Sequence, residues 1–73
     1  MTVTEFVLRG EFIALDDLLK VTGLASSGGS AKALIVAGQV KLDGSIELRK
    51  TKKVRAGQIV EFGTDRIKVK ASV

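Results

Sequence analysis

The sequence predicts an α+β domain in which two N-terminal helices pack on one side of a small antiparallel sheet of about four to five short strands. Three observations predict it. Apolar residues recur at helical spacing between Leu15 and Gly38, an Asp-Gly pair separates two short alternating runs between Val40 and Glu47, and alternation returns between Ile59 and Lys70.

Thr2 to Leu8 alternates weakly, with Val3 and Phe6 to Leu8 apolar, and reads as an edge strand or an ordered N-terminal arm. Leu15, Leu18 and Leu19 then fall at i, i+3 and i+4. Asp16 and Asp17 suit the positive end of a helix beginning there, and Gly23 supplies the left-handed residue that commonly ends one. Ser26 or Ser27 can cap a second helix carrying Ala31, Leu34, Ile35 and Gly38 at i, i+3, i+4 and i+7. After Gly38, Val40-Lys41-Leu42, Asp43-Gly44 and Ser45-Ile46-Glu47 read as strand, two-residue turn and strand. Ala56-Gly57-Gln58 turns into a strand over Ile59 to Phe62, and Gly63-Thr64-Asp65 leads to a last strand from Arg66 to Lys70. In that strand Ile67 and Val69 alternate with Arg66, Lys68 and Lys70, so one face is buried and the other is a row of cations.

Seventy-three residues suit one domain, expected over 1–73, although so short a chain buries only about 60% of its unfolded surface. The 45% hydrophobic content and mean hydropathy of +0.26 argue for an ordered fold. No apolar run reaches the roughly 18 residues of a membrane span, and Met1 to Gly10 lacks a basic segment followed by an apolar one. A soluble, cytoplasmic, monomeric protein without membrane contact is expected. The chain has no Cys, His or Tyr, which removes disulfides, thiolate zinc sites and the commonest general bases and nucleophile partners. No catalytic residue, metal or cofactor is therefore expected. Asp16 and Asp17 diverge by about 100° on a helix, and Ser30 and Lys32 at i and i+2 also point apart, so neither pair forms an acid-base or nucleophile-base site.

Charge is the informative quantity. The net charge is +4 and the isoelectric point about 9.8. Residues 1–31 hold two basic residues against four acids, whereas residues 32–73 hold ten against four. Such polarisation suits a polyanionic partner on one face. Its densest part is Arg49, Lys50, Lys52, Lys53 and Arg55, five cations in seven residues with no acid among them, so the charge reads as unpaired. Lys32 and Lys41 lie in the neighbouring helix and hairpin.

Gly23 and Gly28 have the spacing of a phosphate-binding loop, but Gly29 stands where that motif needs Lys and the upstream segment reads as helix. Uncovered amides of Gly28, Gly29 and Ser30 at a helix start could still hold one phosphate group. The alternative is that these glycines only permit a tight turn. Phe6, Phe12 and Phe62 sit in apolar surroundings and read as core, which disfavours base stacking and leaves phosphates and RNA shape as the basis of recognition.

Leu15-Asp16, Leu19, Gly23-Leu24-Ala25, Ser27, Ala31, Leu34-Ile35, Gly38, Val40, Asp43-Gly44, Val54 and Gly57 together form an ungapped pattern. From about Leu15 to Ile59 it resembles the S-four RNA-binding domain, or alpha-L motif, named after a small-subunit ribosomal protein. Ser27-Gly28, Ala31-Lys32, Gly38-Gln39-Val40-Lys41, Asp43-Gly44, Glu47, Arg49-Lys50, Lys53 and Ala56-Gly57-Gln58 make it most similar to the short stand-alone bacterial, YbcJ-like members. The resemblance implies binding of structured ribosomal or transfer RNA, ribosome or other RNA-associated protein partners, and any chemistry left to those partners. It carries RNA contact to Ser27, Lys32 and Lys41. The wider family usually has Arg, Lys and Arg where this chain has Ala14, Asp17 and Gly28, and often Pro where it has Lys50. The expected footprint therefore moves from the first helix towards the hairpin and its following strand, giving Ser27, Gly28, Gly29, Lys32, Lys41, Arg49, Lys50, Lys52, Lys53 and Arg55 as RNA-binding candidates. The rival expectation is a protein-interaction module whose cations meet an acidic partner surface.

Overall fold

Each helix begins where the chain supplies acceptors for its first amides, and the two helices find them in different places. The computed structural model describes residues 2–72, so the outermost residue at each end of the expected 1–73 domain lies outside the described residues. The first helix, α1 (Leu15–Val21), starts after Ala14, whose side chain cannot cap it. The Leu15 and Asp16 amides donate instead to the carbonyls of Lys52 and Lys50, at 2.9 and 3.1 Å. A helix start leaves such amides without intrahelical acceptors, so a loop distant in sequence closes α1. The chain leaves α1 through Gly23, whose φ of 82° confirms the expected left-handed stop. In α2 (Gly28–Val36), Ser27 rather than Ser26 is the cap, its Oγ accepting from the Ser30 amide at 3.1 Å.

Seven strands lie among the described residues: β1 (Thr2–Val7), β2 (Ile13–Ala14), β3 (Val40–Leu42), β4 (Ser45–Ile46), β5 (Lys53–Val54), β6 (Ile59–Phe62) and β7 (Asp65–Lys70). Five form one sheet in the order β1-β7-β6-β3-β4, while β2 and β5 pair separately as a two-residue antiparallel ladder. The β3–β4 hairpin turns on Asp43 and Gly44, with φ of 51° and 86°, the two positive values that a type I′ turn needs.

The α+β class and the edge strand at the N-terminus are as expected, but the sheet is mixed rather than wholly antiparallel. β1 runs parallel to β7, from Thr2 opposite Asp65 to Val7 opposite Lys70, and every other pairing in the sheet is antiparallel. Alternation fixes which face a strand buries, and it carries no information on the direction of the neighbour. The strand expected over Ser45 to Glu47 is also shorter: Glu47 leaves the ladder, although its amide still donates to the Val40 carbonyl at 3.0 Å.

Leu15, Leu18 and Leu19 of α1 and Ala31 and Ile35 of α2 close over Val40, Leu42, Val60, Ile67 and Val69 on one face of the sheet. Burying each large aliphatic side chain contributes about 1.5–3 kcal/mol. Val54, fully buried in the same core, pins β5 and with it the cationic segment on either side.

Candidate nucleic-acid interface

The cationic segment is a framed loop. Before it stands the β3–β4 hairpin, whose Asp43 carboxylate accepts from the Ile59 amide at 2.9 Å and from Gln58 Nε2 at 3.0 Å. Gln58 Oε1 in turn accepts from the Arg55 amide at 2.8 Å. Within the segment the Lys52 amide donates to the Arg49 carbonyl at 3.3 Å, and the Lys50 and Lys52 carbonyls are fixed on α1. Lys53 and Val54 then pair with Ala14 and Ile13. With the backbone held at these points, Arg49, Thr51, Lys52 and Lys53 line a shallow recess of about 340 Å³.

The charge is less uniform than the sequence implies. Arg49 is paired, its Nε and Nη2 donating to the two oxygens of Glu47 at 3.0 and 3.1 Å, and its amide donates to the same carboxylate at 3.1 Å. The Arg49 side chain, and after it the Arg49 amide, holds the Glu47 carboxyl below the ordinary carboxylate range, and Glu47 reciprocally raises the Arg49 guanidinium. This corrects the reading of the whole run as unpaired: Glu47, two residues before Arg49, reaches it from outside the run. Among the described residues Lys50, Lys52, Lys53 and Arg55 have no ion-pair partner.

Lys32 is engaged as well. Its Nζ lies 3.5 Å from Oδ2 of Asp16, a buried carboxylate whose Oδ1 accepts from the Asp17 amide at 2.9 Å. Asp16 thus serves the helix start as expected and also gathers Lys32 to the place where the Lys50 and Lys52 carbonyls dock. Lys41 stands apart. Val40 and Leu42 on either side of it face the core, so Lys41 points to the outer face of the sheet, opposite Glu61 and Ile46 in register.

At α2 the expectation of three open amides is reduced to two, because Ser27 Oγ occupies that of Ser30 and leaves Gly28 and Gly29 in the first turn. The tight turn preceding α2 takes its positive φ at Gly23, not at Gly28 or Gly29. A Cβ at Gly28 would meet nothing within 4 Å, and at Gly29 only Ser27 Oγ at 4.0 Å. The fold therefore does not require glycine at either position.

One aromatic residue falls elsewhere than expected. Phe6 and Phe62 are half-buried against the core, but Phe12 is 44% exposed. Lys53 Nζ lies 4.9 Å and Arg55 Cζ 5.7 Å from its ring centroid, within cation–π range. The polar Arg9-Gly10-Glu11 stretch just before Phe12 was the available signal that this aromatic leaves the core.

The chain is similar in sequence and in fold to known proteins. A family profile described as "S4 domain" matches residues 6–70. The chain is 48% identical over 59 residues to the Escherichia coli K12 protein named "Putative RNA-binding protein YbcJ", spanning 81% of this chain and 84% of that one. An uncharacterised YbcJ from Shigella flexneri matches to the same extent. The solution structure of E. coli YbcJ, described as revealing an alpha-L motif involved in RNA binding, superposes with a TM-score of 0.69 at 41% identity, covering 97% of this chain and 89% of that one.

Proposed function

The chain belongs to the S-four (S4 domain) family, and from that membership we propose that it is a non-enzymatic RNA-binding protein, acting as a single cytoplasmic, monomeric domain over residues 1–73. It grips the phosphate backbone of folded RNA, of the ribosomal or transfer class, with little base specificity. The E. coli relative named for RNA binding supports the activity. One observation supports its location: Lys50, Lys52, Lys53 and Arg55 project from a backbone fixed on α1 and β2, with no carboxylate among the described residues paired to them. A backbone already fixed loses less freedom when its cations meet a phosphate, and a cation without a carboxylate gives up no ion pair.

The Gly28 and Gly29 amides, set by the Ser27 cap, offer a second phosphate contact at a helix start. Arg49 and Lys32 are secondary contacts that exchange Glu47 and Asp16 for phosphate, and Lys41 reaches RNA only if it extends onto the outer sheet face. Titrating a transfer RNA and a fragment of ribosomal RNA at stepped salt tests the reading. Affinity falling steeply with salt supports it, and affinity independent of salt overturns it. Partners captured from a lysate through RNA vanish on nuclease treatment, whereas a direct acidic protein partner persists.

A further inference from the structure

The exposed Phe12 ring is not explained by phosphate binding. It stands at the rim of a second recess, of about 400 Å³, walled by Phe6, Leu8, Ile13 and Phe12 and bordered by Arg9. Among the described residues the backbone of residues 9–12 makes no hydrogen bond outside the strands, so its amides and carbonyls remain open beside an apolar wall. Lys53 and Arg55 approach the ring from the cationic segment. Apolar walls with an aromatic face, unused backbone donors and acceptors, and cations at the border match the parts of one nucleotide: a planar base with a polar edge, carried on a phosphate chain.

Resting on the RNA-binding reading, we infer that the recess beside Phe12 takes a single unpaired nucleobase of the bound RNA, stacked on the Phe12 ring, with Lys53, Arg55 and Arg9 holding the phosphates on either side. Charge selects a nucleotide over an uncharged aromatic ligand. Glu5, the one acid among the described residues lining the recess, is taken up by Lys70 at 2.7 Å, and Glu11 of the same loop does not line it. An exposed cation–π contact is weaker than base–aromatic stacking. An arriving base therefore gains the ring, and both cations turn to the phosphates.

The test compares two RNA hairpins, one fully paired and one with a single bulged adenosine, by fluorescence anisotropy with the full chain. The wild type should prefer the bulged hairpin, and Phe12→Ala should remove that preference, weakening the bulged hairpin by roughly 5- to 100-fold while leaving the paired one within about twofold. Phe12→Trp should keep the preference and Phe12→Leu should lose it, which separates stacking from apolar filling. Thermal melting of each variant verifies the fold. Equal wild-type affinity for both hairpins, or equal weakening of both by Phe12→Ala, overturns the base pocket and leaves RNA binding standing. Failure of either hairpin to bind in a salt-dependent way overturns the RNA reading and the pocket together.

Discussion

Two rows of cations lie in this small fold, and the structure treats them oppositely. On the outer face of the sheet, Arg66, Lys68 and Lys70 alternate along β7, where Arg66 pairs with Glu61 at 3.4 Å and Lys70 with Glu5 at 2.7 Å. Of these three, Lys68 alone lacks an ion-pair partner among the described residues. In the segment between β4 and β6, which includes the short β5, the proportion is reversed: Arg49 is paired with Glu47, and Lys50, Lys52, Lys53 and Arg55 have no ion-pair partner among the described residues. Sequence presents both rows as dense positive charge. Their difference lies in where the strand pairings set the acids, because β1 and β6 flank β7 and bring a carboxylate from each side. Paired surface charges are largely neutralised at a distance, so the loop row is the one that attracts a polyanion.

Neutralising each row in turn should break this comparison most visibly. Replacing Lys50, Lys52, Lys53 and Arg55 together by Gln is expected to weaken RNA binding by about two to three orders of magnitude near 0.1 M salt. The same change at Arg66, Lys68 and Lys70 is expected to cost less than about threefold, since two of the three are already paired. Filter binding of both variants to the same RNA measures the difference.

A smaller effect concerns the one loop cation that has a partner. Glu47→Gln should free Arg49 and raise affinity by about fivefold while shifting the melting temperature by only a few degrees. The lowered Glu47 pKa sets the sign with pH. Ionisation of Glu47 is more favourable in the folded protein than at the ordinary value of 4.5, so the pairing is present above that value and is lost as pH falls through the lower folded value. The ratio of Glu47→Gln to wild-type affinity should therefore close towards one as pH drops below 4.5. The smallest expected change is at α2. Gly29→Ala should stabilise the fold by a few tenths of a kcal/mol, because alanine is the better helix former and fits there. It should weaken RNA binding slightly if a phosphate sits on that turn, and thermal melting with a parallel titration reads both.

The fold was legible where local chemistry determines it. Asp43-Gly44 specifies a hairpin, Leu15, Leu18 and Leu19 specify a helical face, and Gly23 specifies where the helix stops. The β2–β5 ladder was not legible, since two residues are too few to show a period, and neither was the parallel β1–β7 pairing. The candidate site divides in the same way. Five cations in seven residues are visible in the sequence, but the pairing of Arg49 depends on Glu47 just outside the run, and that of the candidate Lys32 on a contact with Asp16 made only in space. The exposure of Phe12 likewise arises where the chain leaves β1 for the short β2, a departure signalled in sequence only by the polar Arg9-Gly10-Glu11 stretch.

The most direct test of the central claim, that four unpaired loop cations hold RNA phosphates, is the salt dependence of wild-type affinity for a folded RNA. Four phosphate contacts predict a slope of roughly −3 to −4 in log K against log salt. A slope near zero would contradict the account.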